Sequence, residues 1–110
     1  MNSKIKSEEM DRLFQAILTL QNEQECYAFF EDLCTVREIR DMSHRLEIAC
    51  LLDQGMSYQQ VAETTGVSSA TISRVKRCLD YGSGGYAKAI ERMDPDSGWI
   101  SAGDLLEANA

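Results

Sequence analysis

The sequence has a single proline, Pro95, and no stretch in which polar and apolar residues alternate with a period of two. Without that alternation a sheet of half-buried strands is excluded, and the abundant Leu, Ala, Glu, Gln and Arg favour helices throughout. No apolar run approaches the roughly 20 residues that span a bilayer, so no membrane partner is expected, and no signal or transit sequence is recognisable. There is one histidine, His44, and no two of the four cysteines, Cys26, Cys34, Cys50 and Cys78, lie two residues apart. Zinc-ligand spacing is therefore missing, and the cysteines read as buried free thiols of a cytoplasmic protein. No nucleophile, base and orienting group stand at a recognisable spacing, which leaves the chain without an enzymatic reading and without an implied cofactor or metal. Basic residues are also scarce: 11 Lys and Arg against 18 Asp and Glu give a net charge of −7.

An acidic chain argues against a nucleic-acid partner only if the acidity is uniform, and here it is not. Residues 1–34 and 80–110 each carry a net −4 and residues 35–57 a net −1, whereas 58–79 carry +2. Between Ser68 and Leu79 there is no acidic residue. An acidic body repels DNA everywhere except at the one positive surface, which orients the approach.

That positive segment, Ser57 to Leu79, reads as two short helices around a glycine turn. Ser57 with Gln60 three residues on forms a capping box, and Ser68 is a good N-cap for the second helix. Gly66 can take the left-handed φ that reverses the chain, Ala62 permits close helix approach, and Val61, Val67, Ile72 and Val75 supply a shared apolar seam. The second helix exposes Ser69, Ala70, Ser73, Arg74 and Arg77, with Lys76 alongside. Small side chains at its start allow close approach to base edges and the later basic ones reach phosphate, so the pattern suits a helix-turn-helix that binds double-stranded DNA.

Upstream, Met10, Leu13, Phe14, Ile17, Leu18 and Leu20 predict a helix from Glu8 to near Gln21. Asn22 with Glu25 caps a second, which runs to Cys34 with Tyr27, Phe29, Phe30 and Leu33 on its apolar side. Thr35 with Glu38 opens a long third helix that closes at Gln54-Gly55. This is more apolar surface than one small chain covers, and a second copy would cover it. Downstream, Asp80 to Tyr86 reads as a flexible glycine-rich connection, Ala87 to Met93 as a short helix, and 94–110 as an acidic tail containing Trp99 and a weak Ser101/Asp104 helix signal. The organisation is thus all-α, with one helical domain over 1–93, a helix-turn-helix at 57–79 and a tail over 94–110.

With Thr35-Val-Arg-Glu38, His44-Arg45-Leu46 and the whole of Ser57–Leu79 in view, the sequence resembles the Trp repressor superfamily, and within it the Trp repressor-like YerC/YecD type. The resemblance covers about residues 8–93. It implies an intertwined helical homodimer and a small-molecule effector pocket between the central and recognition helices. Carried over residue by residue, Thr35, Arg45 and Arg74 match the threonine and two arginines that embrace tryptophan in Trp repressor. The glycine that leaves room for the indole is Val75 here, and a serine near the ligand's amino group is Cys78. A valine in that space should clash, so any effector is an unidentified molecule other than tryptophan, or Val75 fills the space and no effector is needed. The expectation is a dimeric transcription regulator, a repressor, with Gln59, Lys76 and Arg77 on phosphate and Ser68, Ser69, Ala70, Ser73 and Arg74 along the reading helix. The competing reading uses the helix-turn-helix as a protein-protein interaction module.

Overall fold

The computed structural model describes residues 3–93, which contain six α-helices and, among the described residues, no strand. The chain divides into two compact units that meet in sequence at Ile39 and Arg40.

The first unit holds α1 (Glu8–Ile17) and α2 (Glu23–Leu33). Both begin where a polar side chain replaces a missing helical acceptor: Ser7 Oγ accepts from Met10 N at 3.1 Å and Asn22 Oδ1 from Glu25 N at 2.9 Å. Glu25 reaches back one residue further than a capping box requires, accepting from Gln21 N at 3.0 Å. The first helix ends earlier than its apolar pattern predicts, at Ile17 rather than near Gln21. Thr19 accounts for this: its hydroxyl donates to Ala16 O at 2.6 Å and its N–H to the same carbonyl at 3.1 Å, so the end tightens into a turn before the Asn22 cap.

α3 (Val36–Asp53) opens on a reciprocal pair. Thr35 N donates to Glu38 Oε1 at 2.8 Å and Glu38 N to Thr35 Oγ1 at 3.1 Å. The Thr35 N–H, and after it the Thr35 hydroxyl, hold the Glu38 carboxyl below its ordinary range. At the other end Met56 N donates to Leu51 O and Gly55 N to Leu52 O, at 3.1 and 3.0 Å, which is the Schellman pattern. That closure delivers Met56, itself 5% exposed, into the core.

The second unit is built around that core. Ile48, Ala49 and Leu51 from α3, Met56, Val61 from α4 (Tyr58–Thr65), and Ile72 and Val75 from α5 (Ser69–Tyr81) form one buried cluster. Val67, Leu79 and, from α6 (Gly85–Arg92), Tyr86 and Ile90 pack against it. Fully burying an aliphatic side chain of this kind contributes about 1.5–3 kcal/mol, so the relative placement of α4 and α5 is set by several such contributions acting together.

Two expectations from sequence are corrected. The glycine-rich stretch after Leu79 is a three-residue connection rather than a long linker: α5 continues to Tyr81, and α6 starts at Gly85. Gly82 is required there because a Cβ would lie 2.3 Å from Cys78 O, and Gly84 with φ 82° caps α6. The cysteines are free, but only Cys50 is buried; Cys26 and Cys78 are exposed and Cys34 is intermediate. Burial pushes the Cys50 thiol up from its ordinary range, with Glu47 and Asp53 adding to the effect. The tail with Trp99, Ser101 and Asp104 lies outside the described residues.

Candidate functional site

The helix-turn-helix is assembled by local chemistry at three points. Ser57 Oγ accepts from Gln60 N at 3.1 Å and Gln60 Oε1 accepts from Ser57 N at 2.9 Å, completing the capping box of α4. Gly66 then turns the chain with φ 71°, its N–H donating to Ala62 O at 3.0 Å. A β-carbon at Gly66 would meet nothing within 4 Å, so the requirement for glycine comes from the backbone angle alone. Ser68 starts α5, its Oγ accepting from Thr71 N at 3.3 Å and lying 3.0 Å from Thr71 Oγ1. Val61, Ile72 and Val75 close the seam between the two helices, each no more than 1% exposed.

With Ile72 and Val75 turned inward, the opposite side of α5 is left to solvent. Ala70, Ser73, Arg74 and Arg77 are all exposed and follow one another at helical spacing of three, four and seven residues. They line an open concavity of about 490 Å³ along the helix. Lys76 is exposed beside them and pairs with Asp80 at 3.2 Å, one turn on. An exposed pair of this kind is worth about 0–1 kcal/mol, too little to withhold Lys76 from a polyanion. Gln59 is exposed on α4 and its Nε2 donates to Glu63 Oε1 at 3.1 Å. Ser69 is exposed at the first turn, while the Ser68 hydroxyl is occupied as a cap. The surface is therefore small and polar at the N-terminal end of α5 and cationic further along.

The residues assigned by resemblance to an effector pocket fall in different settings. Val75 is 1% exposed and part of the core, Arg45 is partly buried, and Arg74 and Cys78 are exposed. Thr35 has both its N–H and its hydroxyl oxygen engaged by Glu38.

One participant was not anticipated. Tyr58, the first residue of α4, donates its phenolic proton to Ser69 O at 2.5 Å and hydrogen-bonds Ser73 Oγ. It ties α4 to the exposed side of α5 from 11 and 15 residues away in sequence. The only signal in the sequence is an aromatic residue directly after the Ser57 cap, facing a serine pair four residues apart. Among the described residues there is no group of three or more His, Cys, Asp or Glu that could hold a metal ion, and no helix long and apolar enough to cross a membrane.

Comparison with known proteins places this arrangement. Residues 8–94 match the family model described as Trp repressor protein. An uncharacterized protein YerC of Bacillus subtilis (strain 168) is 49% identical over 90 residues, 82% of this chain and 86% of that one. Two crystal structures superpose with the fold. A TrpR-like protein from Eubacterium eligens ATCC 27750 is 49% identical with a TM-score of 0.77, over 83% of this chain and 94% of the other. A Trp repressor homologue from Staphylococcus aureus is 46% identical with a TM-score of 0.78, over 86% and 95%. Sequence and fold agree over most of both chains, and the protein belongs to the Trp repressor family, in its Trp repressor-like branch of DNA-binding regulators.

Proposed function

We propose that the protein is a cytoplasmic, homodimeric, sequence-specific regulator of transcription, a repressor, which sets α5 of each subunit into successive major grooves of double-stranded DNA. The observation that carries this reading is the exposed side of α5. It presents small side chains first, then Arg74 and Arg77, in a chain whose remaining segments are acidic. Ser69, Ala70 and Ser73 stand where base edges would be, and Gln59, Lys76 and Arg77 where phosphates would be. Subunits of such dimers read half-sites about 34–36 Å apart, so the operator is a palindrome with that spacing. Few long polar side chains face the bases, which leaves DNA shape and bridging water a large share of the specificity.

The dimer is supported by the N-terminal helices. Neither α1 nor α2 contains a buried residue, yet Phe14, Leu18, Tyr27 and Leu33 are all exposed, Leu18 by 83% and Tyr27 by 70%. Tryptophan is not the effector: Val75 belongs to the packed core, and opening space for an indole there means displacing it.

Selection of DNA from random genomic fragments, followed by affinity measurement between low and moderate salt, tests the reading. Lys76→Ala with Arg77→Ala should weaken binding across all sequences and reduce the slope of log affinity against log salt by about 1 for each phosphate no longer neutralised. Retention of no DNA by the wild-type protein, or a slope unchanged in the variant, would count against the placement of α5.

A further inference from the structure

We propose that Tyr58 is a specificity-determining residue: by taking the hydroxyl proton of Ser73 it turns that serine into a hydrogen-bond acceptor, which selects an amino-bearing base, adenine or cytosine, on the contacted strand. The proposal rests on the reading of α5 as the DNA-reading helix and names what one position of it reads.

A tyrosine hydroxyl has one proton to give and can also accept; a serine hydroxyl is the same. Tyr58 Oη lies 2.5 Å from the carbonyl oxygen of Ser69 and within hydrogen-bond distance of Ser73 Oγ. A carbonyl oxygen has no proton, so the bond to Ser69 can form only if the phenol donates to it. The phenolic proton is then spent, and the bond between Tyr58 and Ser73 can form only with Ser73 as donor. Ser73 Oγ is left with lone pairs and no free proton. On an exposed site beside Ala70 and Arg74, that oxygen can only accept from an approaching ligand.

In the major groove the four bases differ in this respect. Adenine N6 and cytosine N4 carry donor hydrogens, whereas guanine presents O6 and N7 and thymine O4, all acceptors. A serine free to rotate serves either kind, so an unfixed Ser73 discriminates little. A Ser73 fixed as acceptor favours the amino bases and sets its lone pairs against O6 or O4. The two bonds also tie the first turn of α5 to α4, so the oxygen is held by two helices rather than one.

The test uses the full-length protein and a pool of double-stranded oligonucleotides in which each base pair of the selected site is varied in turn. For the wild type, one symmetry-related position should prefer adenine or cytosine over guanine and thymine on one strand by about five- to tenfold, the low end of what a single position contributes. Tyr58→Phe keeps the ring and removes the hydroxyl; it should bring that preference close to parity and leave the other positions unchanged. Ser73→Ala retains the bond from Tyr58 to Ser69 and should flatten the same position, and the double variant should lose no more than either single variant. Helical content and urea midpoint of each variant show that the fold is kept. A Tyr58→Phe profile identical to the wild type, or one weakened evenly at every position, overturns the role of Tyr58 while α5 remains the reading helix. Failure of the wild type to retain any oligonucleotide overturns the DNA-reading proposal itself.

Discussion

The two units of the chain differ in where their apolar side chains go. Residues 40–93 contain all eight buried hydrophobic residues among the described ones, and residues 3–39 contain none, although both segments are helical and apolar-striped. The helices of the first unit are specified by their ends, through Ser7, Asn22 and Glu25, whereas those of the second are specified by their ends and by a shared interior. Local capping is sufficient to write a helix into a sequence, but an isolated helix of 10 or 11 residues is marginal in water. Among the described residues the first unit lacks such burial, and the proposed second copy would supply it. The second unit carries its own.

The largest effect is expected in the core of the second unit. Ile72 is fully buried at the centre of the helix-turn-helix, and Ile72→Ala should cost about 2–5 kcal/mol of unfolding free energy in urea denaturation, from reduced burial and the cavity left behind. Introducing charge into the first unit should act on assembly instead. Leu18→Glu with Tyr27→Glu alters two side chains that are already mostly exposed within the chain, so folding of residues 40–93 should survive. In the dimer each would be a buried charge, and the dissociation constant should rise at least about tenfold, each decade being about 1.4 kcal/mol. Sedimentation across a range of protein concentration measures this. A doubly substituted protein that sediments like the wild type would mean that α1 and α2 do not form the dimer interface.

Much of the helix placement was legible in the sequence, because the features that decide it are local. The Ser57/Gln60 and Thr35/Glu38 boxes, the Ser68 cap and the Gly66 turn each involve residues three or four apart, and each stands where its spacing predicts. What was misread depends on neighbours that spacing does not encode. The glycines after Leu79 have the composition of a linker, but Gly82 is there because the carbonyl of Cys78 leaves no room for a side chain. The end of α1 moved because Thr19 bonds back to Ala16, a choice between two local patterns that apolar periodicity cannot arbitrate. Tyr58 was missed because its partners, Ser69 and Ser73, become its neighbours only once Gly66 has turned the chain. Val75 fits two roles in the sequence, seam residue and pocket wall, and only its burial against Ile48, Leu51 and Val61 favours the first.

The smallest effect is expected near the point in sequence where one unit gives way to the other. The Glu38 carboxylate accepts from Thr35 N at the start of α3, and this lowers its pKa in the folded protein below the ordinary value of 4.5. A depressed carboxylate contributes stability that is fully present above its unfolded pKa and is lost as pH falls through the folded one. The contribution therefore persists through neutral pH and fades only below about 4.5, when protonation removes the charge that both the Thr35 N–H and the positive end of the helix dipole favour. Glu38→Gln retains an acceptor at the same place without a titrating group, so between pH 5 and about 3 its thermal midpoint should fall less steeply than that of the wild type. The side chain is fully exposed, so the difference should be small, and it should be confined to the acid range. Parallel curves for the two proteins over that interval would mean that the cap is no stronger ionised than neutral.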